Sequence, residues 1–337
     1  MSDLLYEVKD KVATITLNRP DKLNAFTGDM ITGWAKSLAE AQADDSVNVV
    51  IVTGAGRAFC SGGDVGRMRS GEPTAMDGKN SLWEGVHRVP KQLEQMDKPV
   101  IAMVNGLAVG AGMGMCVMCD IRVAAESARF STGYVKVGLV PGDGDTYFLP
   151  RLVGAAKALE LLWTADFIEA PEAHRLGIVQ RVVPDAQLKD VTYALARQIA
   201  DGPQIPVRMI KRLVYQSLKL DLRTHLDLVS SHMSIVRQTA DHAEGVAAFK
   251  EKRPAKFSGR KSACHWCLVR RRERGGGEVG SLGPRCWRPL RAGRGWAPPG
   301  TGRTVVGGGN ESQGPHLAPA PLTDDRGSTN YSSSAAD

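Results

Sequence analysis

The last quarter of this 337-residue chain lacks the residues from which a hydrophobic core is built. Residues 263–337 contain no Lys, Ile, Phe or Met, but they carry ten Arg, fourteen Gly and seven Pro. Such a composition cannot bury enough apolar surface to fold. We therefore expect a disordered tail, which also supplies more than half of the formal net charge of +7. With little basic excess left on the body, no nucleic-acid partner is expected.

Three further absences exclude other classes of protein. The N-terminus, MSDLLYEVKDKV, has no apolar segment typical of a secretory signal, so a cytoplasmic location is expected. Val100 to Cys119 carries no charge and could span a membrane, but Asn105 and four glycines interrupt it, and we expect no span. The six cysteines include no second ligand pair at zinc-like spacing, so we predict neither a metal nor another cofactor.

The chain is organised around Val100 to Asp120, VIAMVNGLAVGAGMGMCVMCD. The β-branched run Val100–Val104 predicts a buried strand, and the glycines after it allow a sharp turn into a helix that begins at Ala111. The free N–H groups and positive dipole end of such a helix suit an oxygen that becomes negatively charged. A dinucleotide site is the weaker alternative, because the pattern is GxGxG and not GxGxxG.

Taken in order, the chain predicts an α/β architecture of repeated strand, strand and helix units over residues 1–200. Thr27 is predicted to cap a helix through Ala43 that buries a stripe of apolar side chains: Met30, Ile31, Trp34, Leu38 and Ala41. A helix from about Lys79 to Met96 is expected to be interrupted by Pro90.

Residues 201–262 form a second, helical region, and residues 263–337 form the tail. In the helical region we expect six apolar residues to be buried, either as a lid on the chain itself or against a neighbouring subunit: Met209, Leu213, Leu218, Leu222, Leu226 and Val229.

Seven segments, in this order, resemble motifs of the crotonase superfamily, also called the enoyl-CoA hydratase/isomerase family: LNRPDKLNAF, AFCSGGD, KPVIAMVNGLAVGAG, CDIRVAAESARF, VGLVPGDGD, LPRLVG and GVAAFKEKRPAKF. The resemblance covers residues 4 to about 258. It implies a spiral of β-β-α units, a C-terminal trimerisation region, acyl-CoA thioesters as substrates and assembly into homotrimers or hexamers.

The resemblance also implies roles for individual residues. The backbone N–H groups of Gly63 and Ala111 would hold the thioester oxygen, which agrees with the donors expected from the glycine turns. Residues implied to bind CoA or substrate are Lys22, Ala25, Ser61, Gly62, Asp64, Val65, Gly66, Phe249 and Lys252.

The chain departs from the hydratase branch at both of its glutamate positions, where Gly114 and Tyr134 stand. Because positioned acid–base groups typically contribute about 10²- to 10⁴-fold to a rate, another group must move protons. Asp143 and Asp145, in the GDGD loop, are the candidates if burial raises the pKa of one of them. The alternative is that they are solvated turn residues next to the helix expected at Thr146.

His87 is the remaining candidate, because it stands where the dehalogenase branch of the superfamily has its base. The leading hypothesis is an enzyme that stabilises a thioester enolate and isomerises or hydrates an enoyl-CoA. The alternatives are a hydrolase or dehalogenase-like enzyme that uses Asp143 or His87, and an acyl-CoA-binding subunit without activity.

Overall fold

The computed structural model describes residues 2–64 and 74–259. Val65, Gly66 and the 263–337 tail therefore lie outside the described residues. The division into a core ending at residue 200, a helical region and a tail stays a prediction.

Ten strands occur in the described part of the chain, and they form two sheets. The strands are β1 Leu4–Lys9, β2 Val12–Leu17, β3 Val49–Gly54, β4 Ala58–Cys60, β5 Val100–Val104, β6 Leu107–Val109, β7 Ile121–Ala125, β8 Arg129–Ser131, β9 Ile168–Glu169 and β10 Arg181–Val183. The larger sheet has the order β1-β2-β3-β5-β7-β10, and the smaller has the order β4-β6-β8-β9.

Eleven α-helices occur in the same residues. They are α1 Gly28–Ala43, α2 Ala75–Ser81, α3 Arg88–Gln95, α4 Ala111–Val117, α5 Asp145–Val153, α6 Ala155–Thr164, α7 Ala170–Arg175, α8 Leu188–Ala200, α9 Gln204–Ser217, α10 Leu222–Val236 and α11 Ala240–Lys250. None of the helices in the described ranges is long and apolar enough to cross a membrane.

The first turn places both of its strands, β1 and β2, in the larger sheet, whereas the turns that begin with β3, β5 and β7 each supply one strand to each sheet. This arrangement confirms the expected order of β-β-α units. Strands β3, β5 and β7 lie side by side in parallel in the larger sheet, while the strands that follow each of them, β4, β6 and β8, do the same in the smaller sheet. Parallel strands end at the same edge. The turns after β4 and β6 are thereby brought together.

The first helix confirms the predicted stripe in detail. Thr27 accepts a hydrogen bond from the backbone N–H of Met30, so it caps α1 as expected. The expected apolar residues of this helix are all buried, Trp34 and Leu38 completely. They pack against the larger sheet and form the principal core with it.

The predicted break at Pro90 was wrong. The irregularity lies earlier, in a π-helical turn over Leu82–Val86, and α3 begins at Arg88 and contains Pro90 in its first turn. A proline is tolerated there because the N–H that it lacks would have no partner within the helix. Its position therefore coincides with the start of a helix.

Of the six C-terminal apolar residues expected to be buried, Met209, Leu213 and Val229 are half-buried within this chain, and for the other three the prediction was wrong. Leu218, Leu222 and Leu226 are 55%, 72% and 53% exposed, and α10 buries no residue. This region is held to the core by polar contacts, in which Lys211 and Tyr215 donate to the carboxylate of Asp120 over 2.8 Å each. The apolar residues of α10 do not form a lid on their own chain.

Candidate active site

Two glycine turns lie in direct contact where β4 and β6 end. A β-carbon at Gly112 would lie 2.1 Å from the carbonyl oxygen of Cys60, and one at Gly62 would lie 3.4 Å from the backbone nitrogen of Ala111. Only a residue without a side chain fits the first position. Gly110, which precedes α4, has φ +54° and ψ −128°, a conformation that favours glycine.

The hydrogen bonds of the first turn leave the Gly63 N–H pointing away from its neighbouring strand. Phe26 donates to the carbonyl of Gly62 and accepts from the N–H of Asp64, over 2.9 and 3.1 Å, so the N–H of Gly63 lies on the other side of the chain. The N–H of Gly62 donates instead to the sulfur of Cys60 over 3.4 Å.

Ala111 is the first residue of α4, and the first bond of this helix runs from the Gly114 N–H to the Gly110 carbonyl over 3.0 Å. Its own N–H therefore has no partner within the helix. The two N–H groups expected to form an oxyanion hole thus belong to adjoining turns.

The GDGD loop turns both of its acids inward. Asp143 is 2% exposed and Asp145 is completely buried. Between them Gly144 has φ +122°, a region that side chains rarely adopt, and Asp145 then begins α5. The burial on which the hypothesis for these acids depends is therefore present, and the alternative of a solvated turn was wrong; the helix begins at Asp145 and not at Thr146.

Gly114 provides the space that the two acids occupy. A β-carbon at this position would lie 2.6 Å from Oδ2 of Asp145 and 2.7 Å from Oδ2 of Asp143. The carboxyl groups of the GDGD loop therefore fill the volume that a side chain on α4 would take. A glycine at 114 and a pair of acids in this loop are complementary features.

Tyr134 also contacts this pair, because its hydroxyl donates to Oδ1 of Asp143 over 2.5 Å. Burial raises the pKa of the Tyr134 hydroxyl far above its usual range, and the negative charges of Asp143 and Asp145 raise it further. The phenol therefore stays neutral and acts as a hydrogen-bond donor.

Burial also raises the pKa of both acids. For Asp143 the effect is opposed chiefly by the hydrogen bond from Tyr134, which favours the carboxylate. For Asp145 burial raises the pKa well above its usual range, and the charge of Asp143 adds to the increase. Asp145 is consequently the member of the pair that keeps a proton more readily.

His87 lies beside the same loop. Its Nε2 is 2.6 Å from the carbonyl oxygen of Gly142, and since a carbonyl can only accept, this nitrogen carries a proton. The indole ring of Trp83 stands edge-on to the imidazole, with ring centroids 5.8 Å apart. His87 therefore holds the backbone next to Asp143, and only Nδ1 is left to act as a base.

The residues expected to bind CoA near the first turn fall into two groups. The backbone of Ser61 donates to the Leu23 carbonyl over 3.0 Å, which places the exposed Lys22 beside the first glycine turn. Ala25 lies in the same segment and is buried. Asp64 differs, because its carboxylate forms an ion pair with Arg19 over 3.0 Å.

The two C-terminal residues expected to bind CoA, Phe249 and Lys252, do not lie near the other site residues within this chain. Phe249 is 87% exposed, and Lys252 is exposed just after α11. In the residues that the structure covers, no hydrogen bond or ion pair joins either of them to the glycine turns or to the GDGD loop.

Two supporting side chains near the first turn were missed from the sequence. The buried amide of Asn24 donates to the carbonyls of Ala55 and Ala58 over 2.9 and 2.7 Å, and its oxygen accepts from the N–H of Arg19. Arg19 also bonds the carbonyl of Ala25. Both stand in the quoted LNRPDKLNAF motif, which was the available signal, but only the fold shows that they brace β4.

The two-sheet spiral, with amides of two glycine turns beside buried acids, defines an α/β protein of the crotonase class. A sequence model described as enoyl-CoA hydratase/isomerase matches residues 7–260. The chain belongs to this family.

Characterised relatives match over nearly their whole length. The chain is 37% identical to 1,2-epoxyphenylacetyl-CoA isomerase of Escherichia coli K12, over 77% of this chain and 100% of the relative. It is 35% identical to the short-chain-enoyl-CoA hydratase of Clostridium acetobutylicum, over 75% of this chain and 96% of the relative. The crystal structure of enoyl-CoA hydratase from Bacillus anthracis is similar with a TM-score of 0.71 and 32% identity, over 77% of this chain and 100% of that one.

The close packing of the two carboxyl groups against Gly114 can be tested by adding one methyl group at this position. We expect Gly114→Ala to displace the two carboxyl groups and to lower the free energy of unfolding by about 1–3 kcal/mol, as overpacking does. Gly33→Ala is the matched control, since Gly33 lies inside α1 and a β-carbon there would meet nothing within 4 Å. The control should raise stability by about 0.5–1 kcal/mol. Urea denaturation measures both, and a stable Gly114→Ala protein would contradict the packing described.

Proposed function

We propose that this enzyme isomerises an enoyl-CoA by moving a proton between carbon atoms of the acyl chain. The observation that carries the proposal is the buried Asp143 carboxyl, which lies in contact with α4, the helix whose first N–H belongs to Ala111. A thioester whose oxygen is bound by Gly63 and Ala111 would present its acyl chain along this helix. One enclosed base suits the removal and return of one proton.

In the proposed mechanism, backbone N–H groups stabilise the negative charge that develops on the thioester oxygen. Removing a proton next to a conjugated thioester moves charge onto the carbonyl oxygen, and two preorganised N–H groups stabilise that charge. One such donor is worth roughly 3 to 4 kcal/mol. In an enclosed site these dipoles are already oriented and need no reorganisation during the reaction.

The proton-transfer part belongs to Asp143. As a carboxylate it takes a proton from the α or γ carbon, and the C–H bond electrons form a conjugated dienolate whose charge lies on the thioester oxygen. The protonated Asp143 then gives the proton to the other carbon, and the double bond has moved. Tyr134 holds Oδ1 of Asp143 throughout, so the substrate proton goes to a lone pair of Oδ2, which can also accept one hydrogen bond through its other lone pair.

Isomerisation is favoured over hydration because hydration also requires a group that activates water. Both acids are almost completely enclosed. The similarity to 1,2-epoxyphenylacetyl-CoA isomerase is also compatible with isomerisation. Hydration stays the second outcome to test. Hydrolysis or dehalogenation with His87 as base has less support, because the Nε2 of His87 is occupied by the Gly142 carbonyl.

We also propose that the remaining predictions of the sequence hold in the assembled enzyme. Lys22, Ala25, Ser61 and Gly62 would line the CoA groove, and Phe249 and Lys252 would reach CoA bound to a neighbouring subunit. The exposed apolar face of the C-terminal helices supports a homotrimer or hexamer, because isolated chains rarely expose so large a patch. A cytoplasmic location and the absence of any cofactor stay predictions.

Asp143→Asn tests the base. With crotonyl- or butyryl-CoA in D₂O, the unaltered enzyme should introduce deuterium at the α or γ carbon, and the variant should do so about 10²- to 10⁴-fold more slowly. CoA-ester affinity, measured by calorimetry, should not change. The exposed Asp45 provides the control Asp45→Asn. Undiminished exchange would remove Asp143 from the mechanism, and release of thiol or halide would favour the hydrolase or dehalogenase alternative.

Tyr134→Phe tests the hydrogen bond to the base through pH. The hydroxyl of Tyr134 lowers the pKa of Asp143, so its removal should raise that pKa. The acidic limb of the pH–rate profile, on which Asp143 becomes protonated and inactive, should therefore move to higher pH. Tyr193→Phe is the control, because the hydroxyl of Tyr193 bonds Thr14 outside the site. An unshifted limb would show that the bond is not made during turnover.

Leu226→Glu tests the assembly. A charge on this exposed apolar residue of α10 should convert the trimer to monomers in sedimentation experiments, because a buried unpaired carboxylate is costly. Leu5→Glu, on the 47% exposed Leu5 of β1, is the control and should leave the sedimentation coefficient unchanged. A variant that still sediments as a trimer would place the interface elsewhere.

A further inference from the structure

The two acids of the GDGD loop have an incomplete set of hydrogen bonds. Among the residues that the structure describes, Oδ2 of Asp143 and both carboxyl oxygens of Asp145 are buried and have no hydrogen-bond partner. Two ionised carboxylates in such a place would repel each other and would lack the donors that a buried charge requires. As anions neither can donate to the other, so a further proton is needed.

The groups around the pair do not supply this proton. Tyr134 donates to Asp143 but uses Oδ1. Nε2 of His87 donates to the Gly142 carbonyl and not to either acid. Cys60 and Cys116, whose thiols lie near Asp143 and Asp145, are buried and neutral with pKa values raised to about 12. Among the described residues, no cation shifts the pKa of Asp145.

We propose that Asp145 is a positioning residue, held as a neutral carboxylic acid that shares its proton with Oδ2 of Asp143. This inference rests on the proposed role of Asp143 as the base. A hydrogen bond from one acid to the other satisfies two of the orphaned oxygens and removes one of two adjacent charges. It also fixes Asp143 from the side opposite Tyr134.

The backbone explains how two acids so close in sequence can meet. The positive φ of Gly144 reverses the chain between them, so both carboxyl groups converge on the space beside Gly114. At the start of α5, Asp145 would ordinarily be favoured as an anion by the helix dipole. Its complete burial opposes that preference.

The proton count of the reaction is then defined. The resting pair holds one proton and one negative charge. When Asp143 takes a proton from the substrate, the pair becomes neutral with one proton on each acid, and the negative charge passes to the thioester oxygen. Returning the proton to the other carbon restores the pair to its initial state.

Infrared spectroscopy of the whole protein, with ¹³C-labelled aspartate carboxyl groups, tests this arrangement directly. At neutral pH the unaltered protein should show the C=O stretch of a protonated aspartate, Asp145→Asn should lose it, and Asp45→Asn should keep it. Asparagine preserves the volume of the side chain and can still donate to Asp143. The absence of the band from the unaltered protein, or its persistence in Asp145→Asn, would overturn the proposal.

The pH dependence of stability gives a second readout that a merely structural residue would not move. A carboxyl whose pKa is raised by folding stabilises the folded state below its unfolded pKa of about 3.9, and this contribution is lost as pH rises through its folded pKa. Asp145→Asn should therefore reduce proton uptake on folding by about one at neutral pH. Equal pH slopes in the two proteins would overturn the proposal.

The pH–rate profile completes the test. Loss of the shared proton at alkaline pH should disable the unaltered enzyme, whereas Asp145→Asn should lack that alkaline limb and keep the acidic one. An unchanged alkaline limb would count against the shared proton. If no enoyl-CoA is turned over but the infrared band behaves as stated, the proposed function fails while the protonated pair stands. The infrared measurement on the unaltered protein holds even if the variant does not fold.

Discussion

The site depends on the close packing of two backbone turns. The carbonyl oxygen of Cys60 lies where a β-carbon of residue 112 would be, 2.1 Å from that point, so the first turn of α4 can touch the end of β4 only through a glycine. This contact brings the N–H groups of Gly63 and Ala111 into adjoining positions. Any enlargement at the contact would separate the two donors.

A second steric relation determines which acid–base chemistry is available. The absence of a side chain at Gly114 leaves a buried space beside α4, and the GDGD loop fills it with carboxyl groups. The surroundings of the two acids then differ, because Tyr134 donates to Asp143, whereas burial and the charge of Asp143 raise the pKa of Asp145. Asp145 therefore holds a proton more readily than Asp143. Two identical side chains thereby differ in how readily they hold a proton.

The parts of the fold that follow local rules could be predicted from sequence. The stripe of α1, its Thr27 cap and the strand β5 are all present, because periodicity, capping chemistry and β-branched runs act within a few residues. The prediction of a break at Pro90 was wrong because proline marks both the start and the interruption of helices. The C-terminal leucines misled because periodicity identifies an apolar face but not the chain that covers it.

For the site, the candidate residues could be predicted from the sequence, but the contacts that support them could not. The glycine turns, the loop acids, Tyr134 and His87 could all be identified as candidates. The structure places the loop acids beside Gly114, with Tyr134 bonded to Asp143 and His87 bonded to the Gly142 carbonyl. The Asn24 and Arg19 contacts could not be identified, because an amide that bonds carbonyls more than 30 residues away has no local signature.

The sequence by itself determined the family, the order of the β-β-α units and the presence of two acids in the GDGD loop. Only the tertiary structure decided that these acids point inward, that they share the space at Gly114 and that the Nε2 of His87 is occupied. The reason is physical: the pKa of a carboxyl depends on its burial and on the charges around it. Those surroundings are built here from segments that lie far apart in the chain and meet only when it folds.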